Sequence, residues 1–216
     1  QSLRVVMMET GGSFTLTGVR LFTPEPLSGA DTLVITRGRI AALGEDARNS
    51  RVGPVIDLDG GIVTPGLIDL QINGAFGYDV MTADVAGLRQ LAAQLPAHGC
   101  TAFLPTVVTA EHNRLCRALG TIAEAMAPPG AGARILGAHL EGPYLAVAYA
   151  GAHDPQQIRP FDPSEWAALW SAAGGHIRLV TLAPEIPANC AAIAHLVAQG
   201  VVVAAGHSGA TYDEKN

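Results

Sequence analysis

Two strings, His139-Leu140-Glu141-Gly142-Pro143 and Ala205-Gly206-His207-Ser208, each end a mainly apolar run with a side chain able to bind a metal ion. In parallel β/α architectures the catalytic groups project from the C-terminal ends of strands, so a Glu and a His far apart in sequence can converge there. A hard carboxylate oxygen and an imidazole, with room for a second His and a water, make an open site suited to Zn²⁺ or a similar divalent ion. Such an ion lowers the pKa of bound water to near ~7, and hydrolysis is the natural chemistry. Taken singly, each group stays ambiguous. A strand-end carboxylate such as Glu141 equally suits a helix cap or an arginine partner, and a lone His after an apolar run, as at His207, is more often a hydrogen-bonded core histidine than a ligand.

The elements that must position these groups follow from texture. The chain has 216 residues, 49% hydrophobic and 15% charged, with 25 glycines, the composition of a core-rich α/β enzyme. Its pattern changes once, near Ile62. Before that point, runs at 14–22, 32–36, 39–43 and 55–58, punctuated by Gly, Pro and Asp, read as short antiparallel strands of a small β domain. After it, strand-like runs at 62–73, 101–109, 134–140, 177–183 and 201–206 alternate with helical stretches, as in βα units. Leu88, Leu91, Ala92 and Leu95 make one apolar stripe, and Leu115, Leu119, Ile122 and Met126 another. Asp162-Pro163-Ser164-Glu165 reads as a capped helix start with Trp166, Leu169 and Trp170 facing inward, and a further helix opens at Pro187 and closes at Gly200. Residues 210–216 read as the start of a fifth helix. Five βα units do not close a barrel of eight, and the glycine fingerprint of a doubly wound sheet is absent after the first strand, which points to the first part of a (β/α)8 barrel.

Other classes are disfavoured. No apolar run approaches the roughly 20 residues of a membrane span. A net charge of −6 with 13 scattered basic residues leaves no footprint for nucleic acid. Cys100, Cys116 and Cys190 are odd in number and lack C-x-x-C spacing, so they read as buried free thiols. With no signal-peptide pattern at the N-terminus, a reducing cytoplasm is the expected compartment.

Pro65-Gly66-Leu67-Ile68-Asp69, Gly99-Cys100-Thr101, His139-Leu140-Glu141-Gly142-Pro143, Gly151-Ala152-His153, Leu182-Ala183-Pro184-Glu185 and Ala205-Gly206-His207-Ser208 together resemble, in order and spacing, the N-acetylglucosamine-6-phosphate deacetylases of the amidohydrolase superfamily. The resemblance implies a metal-dependent (β/α)8 TIM-like barrel, with residues 62–216 its incomplete first part. Residues 1–61 would be the N-terminal part of a small β-sandwich built from both chain ends.

By the same resemblance Glu141 and His207 are metal ligands. The third ligand, a His, and the general base, an Asp, are expected beyond Asn216. His153 is implied as the substrate-side histidine that polarises the acetamide carbonyl, with Ala152 lining the same pocket; on its own, His153 also reads as a loop residue bonded to Asp154. Gln71-Ile72-Asn73 stands where two-metal amidohydrolases carry His-x-His, so one divalent ion, zinc by preference, is expected, and Gln71 would orient a water or a sugar hydroxyl. The loop 145–150 is apolar where the family usually carries basic residues. The implied partner is an amino-sugar phosphate, and the implied assembly of the full-length protein is a homodimer. The rival readings are a dihydroorotase-like or deaminase-like amidohydrolase and a catalytically inert half-barrel.

Overall fold

The computed structural model describes residues 12–211, apart from 24, 28, 128, 129 and 131. The expected fifth helix therefore lies almost wholly outside the described residues. The chain forms two compact units, Gln1–Pro65 and Gly66–Asn216.

In the first unit, β1 (Phe14–Thr23), β2 (Glu25–Pro26), β3 (Thr32–Thr36), β4 (Arg39–Leu43) and β5 (Val55–Val63) form one sheet, with a short helix α1 (Gly44–Asn49) before β5. β1 pairs antiparallel with β3 on one edge and parallel with β5, so the expectation of purely antiparallel strands is corrected. The reason is topological: the chain between β1 and β5 is long enough to hold a hairpin and a helix, which lets β5 return in the direction of β1.

The second unit is a parallel sheet whose strands follow one another in chain order. They are β6 (Leu67–Ile72), β9 (Cys100–Val108), a third strand in two pieces, β10 (Arg134–Ile135) and β11 (Ala138–Glu141), then β12 (Ile177–Leu182) and β13 (Val202–Ala205). A small hairpin, β7 (Gly74–Ala75) and β8 (Tyr78–Asp79), follows β6. The connecting helices are α2 (Val85–Gln94), α3 (His112–Ala125), α4 (Pro163–Ala172) and α5 (Pro187–Ala198). This is a partial (β/α) barrel.

Two strand expectations need correction. The run 62–73 is not one strand: residues 62 and 63 belong to β5 in the first unit, and β6 begins only after Pro65-Gly66. The run 134–140 is interrupted at Leu136-Gly137, where Gly137 adopts a φ of 146° and lies so close to the His176 carbonyl that a side chain would collide with it. All three cysteines are free thiols, but only Cys100 is buried; Cys116 is half-buried and Cys190 lies exposed on α5.

The helices form as their caps and stripes dictate. The Asp84 side chain accepts from Gly87 N at 2.7 Å, and that of Asp162 accepts from Ser164 N and Glu165 N, each at 2.9 Å. Leu88 and Leu91 of α2, Leu115, Leu119 and Ile122 of α3, Trp166 and Leu169 of α4 and Leu196 of α5 bury themselves in one core with Phe103, Leu140 and Val180 of the strands. Because strand side chains alternate, packing Leu140 into this core turns His139 and Glu141 to the opposite face of the sheet.

Leu169 is fully buried, whereas Val197 on α5 is 56% exposed. Leu169→Ala should therefore lower the unfolding free energy by about 2–5 kcal/mol and Val197→Ala by less than about 0.5 kcal/mol, read from urea unfolding curves.

Candidate metal centre at the strand ends

Strand register brings the chemistry together. Glu141, the last residue of β11, lies opposite Val108 of β9 and Thr181 of β12, while Leu182 of β12 pairs with Ala205 of β13, two residues before His207. Four parallel strands thus end on one side of the sheet, and residues at or beyond those ends, with Asn73 just after β6, line a cavity of about 480 Å³: Asn73, Val108, Thr109, Glu141, Ala152, His153, Asp154 and His207.

Within it, Glu141 Oε1 lies 3.3 Å from His207 Nε2 and 4.0 Å from His153 Nε2. The two imidazoles meet edge to face, with centroids 4.5 Å apart. One ligand atom from each of the three residues falls within 4.8 Å of the others. His207 Nδ1 lies 3.0 Å from the Tyr149 carbonyl, which only a ring N–H can satisfy, so in the neutral ring Nε2 carries the lone pair. A carboxylate oxygen and an imidazole lone pair then face each other at 3.3 Å, two acceptors that a shared cation would satisfy. The donor set suits a divalent ion.

His153 comes from the loop between β11 and α4, and that loop is tied down along its length. Arg159 donates from its backbone N to Pro143 O at 3.0 Å, from its guanidinium to Ala110 O at 3.2 Å, and bidentately to Glu165, with the shortest contact 2.6 Å. The buried Asn189 side chain accepts from Phe161 N at 2.8 Å and donates to Tyr144 O and Ala183 O. His153 itself is buried, with Nδ1 2.8 Å from Thr109 Oγ1. Its local partner is therefore Thr109 and not Asp154, which instead accepts from Gln156 N at 3.0 Å.

Of the residues singled out in the sequence, Glu141, Ala152, His153 and His207 line this cavity, whereas Gln71 is exposed on β6 and is not among its lining residues; Asn73 is. Asp69 turns the chain at that point, its carboxylate accepting from Gln71 N at 3.0 Å. His139 also stays out of the cavity, held by hydroxyls of the neighbouring strands, Thr106 at 3.3 Å and Thr181 at 2.8 Å. Sequence reasoning missed Thr109 and the Tyr149 carbonyl. Thr109 was legible as the residue following a strand, but a backbone carbonyl in a loop carries no side-chain signal.

The apolar loop 145–150 has a structural account here. Leu145 and Ala146 are buried, Ala146 N donates to His207 O at 3.0 Å, and a single 3-10 turn, Val147–Tyr149, carries the carbonyl that orients the His207 ring.

A model of the amidohydrolase family matches residues 62–214. The chain belongs to this family. Curated relatives of this amidohydrolase include the N-acetylglucosamine-6-phosphate deacetylase of Bacillus subtilis (strain 168), 38% identical over 152 residues, covering 69% of this chain and 38% of that protein. The human protein of the same name is 39% identical over 158 residues, covering 70% of this chain and 38% of its own length. The N-acetylgalactosamine-6-phosphate deacetylase of Escherichia coli O157:H7 is 36% identical over 195 residues, covering 90% of this chain and 50% of that protein. Among solved structures, the N-acetylglucosamine-6-phosphate deacetylase of Pasteurella multocida superposes with a TM-score of 0.83 at 31% identity, over 94% of this chain and 53% of that one. A D267A mutant of the Mycobacterium smegmatis enzyme, in complex with N-acetyl-D-glucosamine-6-phosphate, gives 0.79 at 33% identity, over 94% and 52%. The amidohydrolase chain thus spans about two-fifths of the length of the first curated relatives. Among its described residues no helix is long and apolar enough to cross a membrane.

Burial holds the His153 imidazole below its ordinary 6.5, with Glu141 opposing and His207 reinforcing the fall. Burial does the same to His139, against the pull of Glu141 and a backbone bond to Leu70. Both rings then bind fewer protons folded than unfolded, so their contribution is complete above about pH 6.5 and is lost as the pH falls below it. The urea midpoint of the metal-free chain should drop between about pH 7.5 and about pH 5, and His153→Asn should shrink that drop; an equal drop in the variant would contradict the assignment.

Proposed function

We propose that this chain forms the first part of a metal-dependent barrel that hydrolyses the N-acetyl amide of N-acetylglucosamine 6-phosphate to acetate and glucosamine 6-phosphate. The observation that carries the reading is the convergence of Glu141, His153 and His207 at the ends of parallel strands, in a cavity of a size that suits a sugar. In this reading residues 1–61 are the N-terminal part of a small β-sandwich, and the full-length protein is a cytoplasmic homodimer.

Glu141 and His207 would hold one divalent ion, zinc by preference, and the bound ion would supply Lewis acidity and an activated water. His153 serves the substrate. Nδ1 lies 2.8 Å from the Thr109 hydroxyl. In this reading that hydroxyl donates to Nδ1, so that Nε2 would carry the ring proton into the cavity and meet the amide oxygen as negative charge develops there. Ala152 lines the same wall and leaves space for the acetyl group. Among the described residues no Arg or Lys lines the cavity, and the resemblance assigns the phosphate contacts, like the third ligand and the catalytic Asp, to other segments of the protein. Gln71, exposed on β6, takes no part in this reading, and Asn73 becomes the neutral amide closest to the site.

The Escherichia coli relative named for the galacto epimer, matched over 90% of this chain, supports a second reading in which the C4 epimer is the substrate. Metal content by plasma mass spectrometry and acetate release from both 6-phosphates, measured on the longest polypeptide expressed from the reading frame, decide between them. About one ion per chain is expected, with acetate from the gluco substrate; Glu141→Gln should lose both. His153→Asn should keep the ion and lower kcat by about 10²–10³. Release from the galacto epimer alone moves the assignment to that sugar, bound metal with no acetate from either overturns the substrate, and absence of metal overturns the whole reading.

A further inference from the structure

Glu185, at the end of the Leu182-Ala183-Pro184-Glu185 motif, carries a carboxylate close to the site but does not line the cavity. From its hydrogen bonds we infer that Glu185 is a positioning residue for the candidate metal ligand His207. This inference rests on the proposal that Glu141 and His207 hold the ion.

His207 occupies the left-handed region, with φ 49°, a conformation that residues other than glycine rarely adopt and that must be held by what surrounds it. The His207 carbonyl and ring are held through the apolar loop, by Ala146 N donating to the carbonyl and by the Tyr149 carbonyl accepting from Nδ1, each at 3.0 Å. On the C-terminal side Glu185, from the loop after β12, grips the turn. One of its carboxylate oxygens accepts from Ser208 Oγ at 2.7 Å and the other from Gly209 N at 2.7 Å. Ser208 Oγ in turn accepts from Ala210 N at 3.0 Å, so the carboxylate fixes three successive residues after the ligand.

Glu185 can do this because its own base is rigid. Ala183 N donates to Tyr144 O at 2.9 Å, Asn189 Nδ2 donates to Ala183 O at 3.0 Å, and Pro184 is buried. The turn has little room to settle elsewhere: a Cβ on Gly206 would lie 2.6 Å from Thr181 Cγ2, and one on Gly209 would collide with the Tyr149 ring. The turn is therefore clasped by β12, the Tyr149 loop and Glu185. Outer partners that aim a metal-bound histidine typically change metal affinity 10–100-fold when removed.

Co²⁺ serves as the probe, titrated into the longest polypeptide expressed from the reading frame, with amide exchange at Gly209 and Ala210 and thermal melting followed in the metal-free protein. Glu185→Ala should weaken Co²⁺ binding about 10–100-fold and speed exchange at both amides, with melting nearly unchanged. Glu185→Gln, which keeps one carbonyl acceptor, should show a smaller loss. If wild type binds Co²⁺ and Glu185→Ala binds it equally well, this inference fails while the metal reading stands. If wild type binds none, the metal reading fails and takes the inference with it. Should Glu185→Ala unfold, Glu185→Gln decides, and unchanged affinity together with unchanged exchange overturns the inference.

Discussion

The parallel hydrogen-bond register of the barrel strands is the constraint on which the site depends. With β9, β11, β12 and β13 running the same way and paired in chain order, Val108, Glu141, Leu182 and Ala205 all end on one side. A one-residue slip of β11 would exchange the faces of Leu140 and Glu141, putting a carboxylate into the helix-packed core and a leucine at the cavity. Burial of Leu140, Val180 and Leu182 among the helices makes such a slip costly, so the apolar outer face of the sheet guards the polar inner one.

Register places the strand ends, but the histidines beyond them sit on loops, which need anchors of their own. The charged clamp Arg159–Glu165 secures the His153 loop from behind, and the neutral amide of Asn189 ties both of its ends to the start of α5. Both anchors are far better satisfied than solvent-exposed pairs, because each polar group meets several partners in a partly or fully buried setting. The same logic extends to His139. Buried two residues before Glu141, it is matched on both ring nitrogens by threonine hydroxyls, which lets a polar residue occupy the sheet interior beside the site without an unmet hydrogen bond.

The family resemblance and the geometry inform each other at the points of departure. Neutral amides at the end of the first barrel strand, Gln71 and Asn73, leave one cluster of possible ligands among the described residues, centred on Glu141. The apolar 145–150 loop, puzzling as a substrate contact, is intelligible as the bed on which His207 rests: two of its backbone groups bond to that residue, one to the main chain and one to the ring.

The order of βα units was legible in the sequence because each helix carries an apolar stripe and a recognisable start, Asp162-Pro163 and Pro187 being the clearest. Glu141 and His207 were legible as metal-capable residues at strand ends, for the same reason that strands end where apolar runs stop. What periodicity could not show was direction and contact. Whether β5 runs parallel to β1, where 62–73 divides between two units, and that Asn73 and not Gln71 reaches the cavity are set by pairing partners remote in sequence. Likewise the convergence of Glu141, His153 and His207, with Thr109, the Tyr149 carbonyl and Glu185 around them, depends on hydrogen bonds between residues 23 to 58 positions apart. The sequence by itself determined which residues could do the chemistry and which elements carry them; only the tertiary structure decided which of them meet, because side-chain pattern encodes burial along one element and not the partner that closes over it.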